Sequence, residues 1–123
     1  MKELLIIFVV LMSASCKPKS ELLFSEEMLA AVPDSILSAQ KMADVLTDIH
    51  LAESAILEIK SDSVRERRNL IIGEYYADIM SLHNVSFSDF LNSYEYYTQH
   101  PLLMNYIYKM VTDNLSLLES KIE

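Results

Sequence analysis

His50, Glu53 and His83 are the side chains of this chain best suited to hold a metal ion or to move a proton. His50 stands three positions before Glu53, a spacing that makes the two neighbours on one helix face and that metal sites in helical bundles also use. His83 joins them as a third ligand if its turn folds inward, which would give a zinc site or a polar pocket. The second half-site of such a bundle is missing. So are an HExxH pair, a calcium loop, a glycine-rich phosphate loop and a Ser-His-Asp order. Lacking a nucleophile, a base with its partner and a cofactor cradle, the chain is expected to be no enzyme and to carry no cofactor or metal. A small metal- or ligand-binding protein using His50, Glu53 and His83 is the alternative.

Glu53 also interrupts an apolar stripe, between Ile49 and Ile56, and Arg68 does the same beside Ile71, Ile72 and Tyr75. Two helices folded back antiparallel about Asp62 bring both to similar heights, which predicts a Glu53–Arg68 ion pair inside or at the margin of the bundle. Removing one partner of a buried pair costs about 3–5 kcal/mol. Asn114 on the last helix is expected to set register or meet a water, His83 to close the second helix, and His100 to cap the fourth.

The seven tyrosines point to binding. Tyr94, Tyr96 and Tyr97 crowd the end of the third helix, and Tyr106 and Tyr108 follow on the fourth. Tyr96 and Tyr108 project away from their helices' stripes, and exposed tyrosine offers large contact area with few rotors. A groove rimmed by Tyr96, Gln99, His100, Met104 and Tyr108 is therefore the expected partner site. A tyrosine belt that merely packs at the bundle's edge is the competing reading.

Four helices must position these groups. The first runs from about Ala39 to Lys60, with Ser38 as N-cap and a 3.6-residue stripe of Met42, Val45, Leu46, Ile49, Ile56 and Ile59. Ser61, Asp62 and Ser63 break it. The second runs from about Val64 to Leu82 on Ile71, Ile72, Tyr75, Ile79 and Leu82, ending at His83 and Asn84. Ser86 caps the third, with Asp89 where a capping box places its acidic member, and Phe87, Phe90, Leu91, Tyr94 and Tyr97 line one face. Pro101 opens the fourth, which carries Leu103, Ile107, Met110, Val111, Leu118 and Ile122. One glycine, short connections and no alternating strand pattern make the expected fold an all-α bundle of about four helices, residues 35–123.

The N-terminus says where such a bundle would work. Lys2 precedes an unbroken apolar run from Leu4 to Met12, then Ser13, Ala14, Ser15 and the only cysteine, Cys16. The run is too short to span a bilayer, which takes about 20 residues, so residues 1–15 read as a cleaved signal. The segment resembles a lipobox, with Ser13 in place of the usual Leu, and implies that Cys16 becomes the lipidated N-terminus. Residues 16–34 read as a flexible tether containing a short helix near Glu26 to Val32. A net charge of −8 argues against nucleic acid and against an electrostatic hold on anionic headgroups. Membrane attachment would come from acyl chains on Cys16, at about 0.8 kcal/mol per buried methylene.

The run Met42-Ala43-Asp44-Val45-Leu46-Thr47-Asp48-Ile49-His50-Leu51-Ala52-Glu53, then His83-Asn84-Val85-Ser86 with Phe90, Ser93 and Tyr96-Tyr97, then His100-Pro101 and Ile107-Tyr108 resembles a group of small Bacteroidetes lipoproteins carrying a domain of unknown function. The resemblance implies a helical lipoprotein of the cell envelope and brings no activity or catalytic residue with it. Lipoproteins of those bacteria that reach the cell surface carry acidic residues after the cysteine. Here Lys17, Pro18, Lys19 and Ser20 stand there, which implies an outer-membrane protein facing the periplasm. Asp34-Ser35-Ile36 and Asp62-Ser63-Val64 are similar to the O-glycosylation motif of the same bacteria and make Ser35 and Ser63 candidate acceptors. The expectation is a lipid-anchored interaction module, an adaptor or chaperone-like subunit that meets an envelope protein through its tyrosines.

Overall fold

The computed structural model describes residues 24–122. Within them it is an all-α bundle: α1 (Glu26–Ala30), α2 (Ala39–Glu58), α3 (Asp62–Leu82), α4 (Phe87–Thr98) and α5 (Pro101–Ser120). The helix ends follow local chemistry. Ser38 Oγ accepts from the Lys41 N–H at 3.2 Å and Ser86 Oγ from the Asp89 N–H at 3.0 Å, each satisfying a donor that the first turn leaves without a partner. Pro101 takes the first position of α5. Asn84 is left-handed, φ 53°, and the Val85 N–H reaches the Met80 carbonyl (2.9 Å) while the Asn84 N–H reaches that of Ser81 (3.1 Å). That pattern is a Schellman stop, with asparagine tolerated where glycine is usual.

Helix α2 lies at the centre and packs against α3, α4 and α5. Met42, Val45, Leu46, Ile49 and Ile56 of its stripe are buried, while Ile59 has become the C-cap and is exposed. Leu103, Ile107 and Val111, four residues apart on α5, close onto them with Phe90 and Tyr97 of α4. Each such side chain, fully buried, contributes about 1.5–3 kcal/mol.

Helix α3 departs from its expected stripe. Only Ile79 and Met80 are buried, and Tyr75 and Leu82 face outward. The cause is register. Extended backbone at Ile59 and Ser61 separates α2 from α3, and the Tyr76–Glu53 bond marks how far α3 is slid along α2. Its inner face, Val64, Arg68, Ile71, Ile72 and Tyr76, is half-buried, and burial is complete only at Ile79 and Met80.

The segment expected to be a flexible tether is packed from Phe24 onward. The Phe24 ring stacks on Tyr106, centroids 4.4 Å apart and planes 14° apart, and Met28, Leu29 and Val32 cover the α2–α5 core. Leu37, at the end of this strap, has both backbone groups held by α4: the Tyr97 hydroxyl donates to its carbonyl (2.7 Å) and its N–H donates to Ser93 Oγ (2.9 Å). Residues 1–15, Cys16 and the tether as far as residue 23 lie outside the described residues.

Candidate functional site

A cleft of about 290 Å3 opens where α2, α3, α4 and α5 meet. Glu53 and His50 enter from α2, Tyr76 from α3, Tyr94 from α4 and Tyr108 from α5, over a floor of Leu46, Ile49 and Phe90. The Tyr76 hydroxyl donates to Glu53 Oε1. Glu53 Oε2 lies 3.9 Å from His50 Nδ1, with both side chains a little over a third exposed. The rings of His50 and Tyr108 are 6.1 Å apart, as are those of Phe90 and Tyr94. Tyr94 and Tyr108 are each 37% exposed at the rim.

The carboxylate and burial raise different phenols of the cleft. The bond to Glu53, followed by burial and the Glu53 charge, pushes the Tyr76 phenol up to about 12 from an ordinary 10.0. Burial first, then Tyr94 beside it, raises Tyr108. Both phenols stay neutral donors at neutral pH, so the cleft presents uncharged rings around one carboxylate.

The predicted Glu53–Arg68 pair is not formed. With Glu53 level with Tyr76, Arg68 lies eight residues away along α3, roughly 12 Å at the helical rise. Its buried Nε makes no hydrogen bond. The three-ligand grouping of His50, Glu53 and His83 is not formed either. His83 Nε2 meets Asp48 Oδ2 at 2.7 Å, and Asp48 and His50, two residues apart, project about 200° apart around α2. Among the described residues no three His, Cys, Asp or Glu side chains converge as a metal site. His83 also closes α3 as its C-cap, and its carbonyl accepts from Lys41 Nζ at 3.3 Å. Beside this pair Asn114 Nδ2 donates to Thr47 Oγ1 at 3.2 Å, a contact between α5 and α2 that fixes their register.

The five-residue groove divides. His100 is the N-cap of α5 by position but makes no side-chain cap there. Its Nδ1–H instead donates to the Tyr96 carbonyl at 2.6 Å, closing the end of α4, and its ring stacks on Tyr96 at 4.1 Å. Tyr96 in turn meets Tyr97 edge-on, centroids 5.4 Å apart. Tyr96, His100 and half-buried Met104 thus belong to the α4–α5 corner, Gln99 stands exposed beside it, and only Tyr108 joins the cleft. Tyr76 and Tyr94 complete the cleft. Tyr76 was hidden from the sequence by the register of α3; its signal was its place three residues before buried Ile79. The candidate acceptors Ser35 and Ser63 are both exposed, Ser35 in the strap's turn and Ser63 in the first turn of α3 rather than in a connection.

No curated protein and no solved structure matches the chain. A family model does match, over residues 33–121, a span that runs from the strap through all four long helices and holds every residue of the cleft. On that match the chain belongs to the family of the domain of unknown function DUF4296.

Proposed function

We propose that this protein is a lipid-anchored interaction module of the bacterial envelope, an outer-membrane lipoprotein facing the periplasm and acting without catalysis. Its tyrosine-lined cleft would meet an envelope protein. The observation that carries this reading is the cleft itself, where two tyrosines from different helices stand 37% exposed beside a carboxylate that is a little over a third exposed. Aromatic rings at the mouth of a small recess are what the energetic centres of protein interfaces are made of. The anchor rests on Cys16 following a short apolar run. The packing of Phe24 on Tyr106 supports a close hold, because the eight residue steps from Cys16 to Phe24 span at most roughly 29 Å. The adaptor would then work near the membrane surface.

The test is photocrosslinking in native envelopes from position 91, where exposed Leu91 lines the cleft, and from position 116 on α5 as a control. Intact-mass measurement of the same protein reads the acyl groups on Cys16. A defined adduct at 91 that is absent at 116 and abolished by Tyr94→Ala/Tyr108→Ala supports the module. Equal adducts at both positions, or an adduct indifferent to the double substitution, would overturn it. A Cys16 without lipid overturns the anchor alone.

A further inference from the structure

The cleft carries a chemical preference. Its walls are the tyrosine rings, Phe90, aliphatic side chains, His50 and Glu53, with no lysine or arginine among the lining residues. Glu53 therefore has no lysine or arginine beside it in the cleft, only His50, in a chain of net charge −8. One carboxylate oxygen is taken by Tyr76. The other has His50 Nδ1 at 3.9 Å, beyond hydrogen-bond distance, and is free to accept.

We infer that the cleft binds the side chain of an arginine presented by the partner protein, with the guanidinium donating to Glu53 Oε2 and its plane lying against the rings of Tyr94 and Tyr108. This rests on the interaction-module reading and names the chemistry of its contact. Three features select the occupant. A positive charge meets one accepting carboxylate among several aromatic rings, whose faces attract cations within about 6 Å of a centroid. Arginine suits such a site better than lysine, because its planar group stacks on aromatic faces and is weakly hydrated. At about 290 Å3 the recess has room for one long side chain offered from a surface.

The inference is tested with the full-length acylated protein in lipid nanodiscs, its tyrosine rings labelled with carbon-13. The probes are a capped Gly-Arg-Gly peptide, the same peptide with lysine, and one with citrulline, which keeps the shape of arginine without the charge. The arginine peptide should shift the ring signals of Tyr76, Tyr94 and Tyr108 saturably in the millimolar range. Lysine should bind several-fold more weakly and citrulline at least tenfold more weakly. Glu53→Gln, which still accepts from Tyr76, should weaken arginine binding about tenfold, and Tyr108→Leu should do so as well, so that a folding defect in one variant leaves the other to decide. Citrulline binding as well as arginine, or binding indifferent to both substitutions, overturns the inference. If the crosslinked partner still depends on Tyr94 and Tyr108 while the arginine peptide does not bind, the module stands and its cation chemistry falls. If the peptide binds as expected and no specific adduct forms, the cleft's chemistry stands and the adaptor reading falls.

Discussion

Tyr97 and Tyr76 each give their hydroxyl proton to an oxygen on another element, and each phenol is pushed up to about 12, yet they stand in opposite surroundings. Tyr97 is fully buried. With Ser93, one helical turn earlier, it satisfies both backbone groups of Leu37, so α4 supplies the strap with the partners that a neighbouring strand would supply in a sheet. Its phenol is raised first by burial. Tyr76 is raised first by the bond to Glu53, at the lip of an open cleft. One tyrosine closes a core and the other furnishes a surface. A hydroxyl on a tyrosine is therefore not by itself a functional signal: the burial of the ring, complete at Tyr97 and partial at Tyr76, separates the two uses.

The largest effects should fall on the closed side. Tyr97→Ala removes a buried ring and should cost about 3–5 kcal/mol in urea unfolding. Tyr97→Phe and Ser93→Ala leave a carbonyl or N–H of half-buried Leu37 without its partner and should each cost about 1–3 kcal/mol. Losses near zero for both would mean that the strap is not held by α4, and the contrast with the cleft would collapse.

The same contrast explains what the sequence made legible. The stripe on α2 was readable because that helix is enclosed by three others, so its apolar period coincides with its buried face. The caps at Ser38 and Ser86 were readable because they are local. Helix α3 was not readable in the same way. Arg65, Glu66, Arg67 and Arg68 stand in its first turns, where Val64 and Arg68 are only half-buried and Leu70 is exposed, so the polar run masks the face that packs. A hairpin centred on Asp62 placed Glu53 beside Arg68. The extended link at Ile59 to Ser61 placed it beside Tyr76, a displacement that no periodicity encodes. Helix faces follow from sequence period, whereas the sliding of one helix along another depends on connection geometry, and the cleft is built by that sliding.

On the open side the effects should be smaller and should report on that register. Tyr76→Phe leaves Glu53 a carboxylate that water can reach, and should cost less than about 1 kcal/mol. A double-mutant cycle of Tyr76→Phe with Glu53→Gln should show coupling of about 0.5 kcal/mol or more. Glu53→Ala with Arg68→Ala should be additive within about 0.3–0.5 kcal/mol, as for residues without a shared partner. Coupling in the second cycle and none in the first would restore the tight hairpin and dismantle the cleft.

The last effect comes from alkali and separates the two tyrosines by solvent access. In both, the folded state raises the phenol from 10.0 to about 12, so it holds the proton more tightly than the unfolded chain. The stability this contributes is fully present below pH 10 and is lost as pH rises from 10 to 12. Unfolding free energy should therefore decline across that window, and each Tyr→Phe substitution should flatten the decline by removing one phenol. Tyr97 has no route to water without breaking its bond to Leu37, so Tyr97→Phe should flatten the curve more. Tyr76 borders an open cleft, where its phenolate is screened as it forms and less of the penalty survives. Urea unfolding of both variants at intervals across that range, with phenolate absorbance followed in parallel, measures the two slopes. Equal flattening would show that the Tyr76–Glu53 bond is held as firmly as the core, which would make the cleft a preformed receptacle rather than one that its occupant completes.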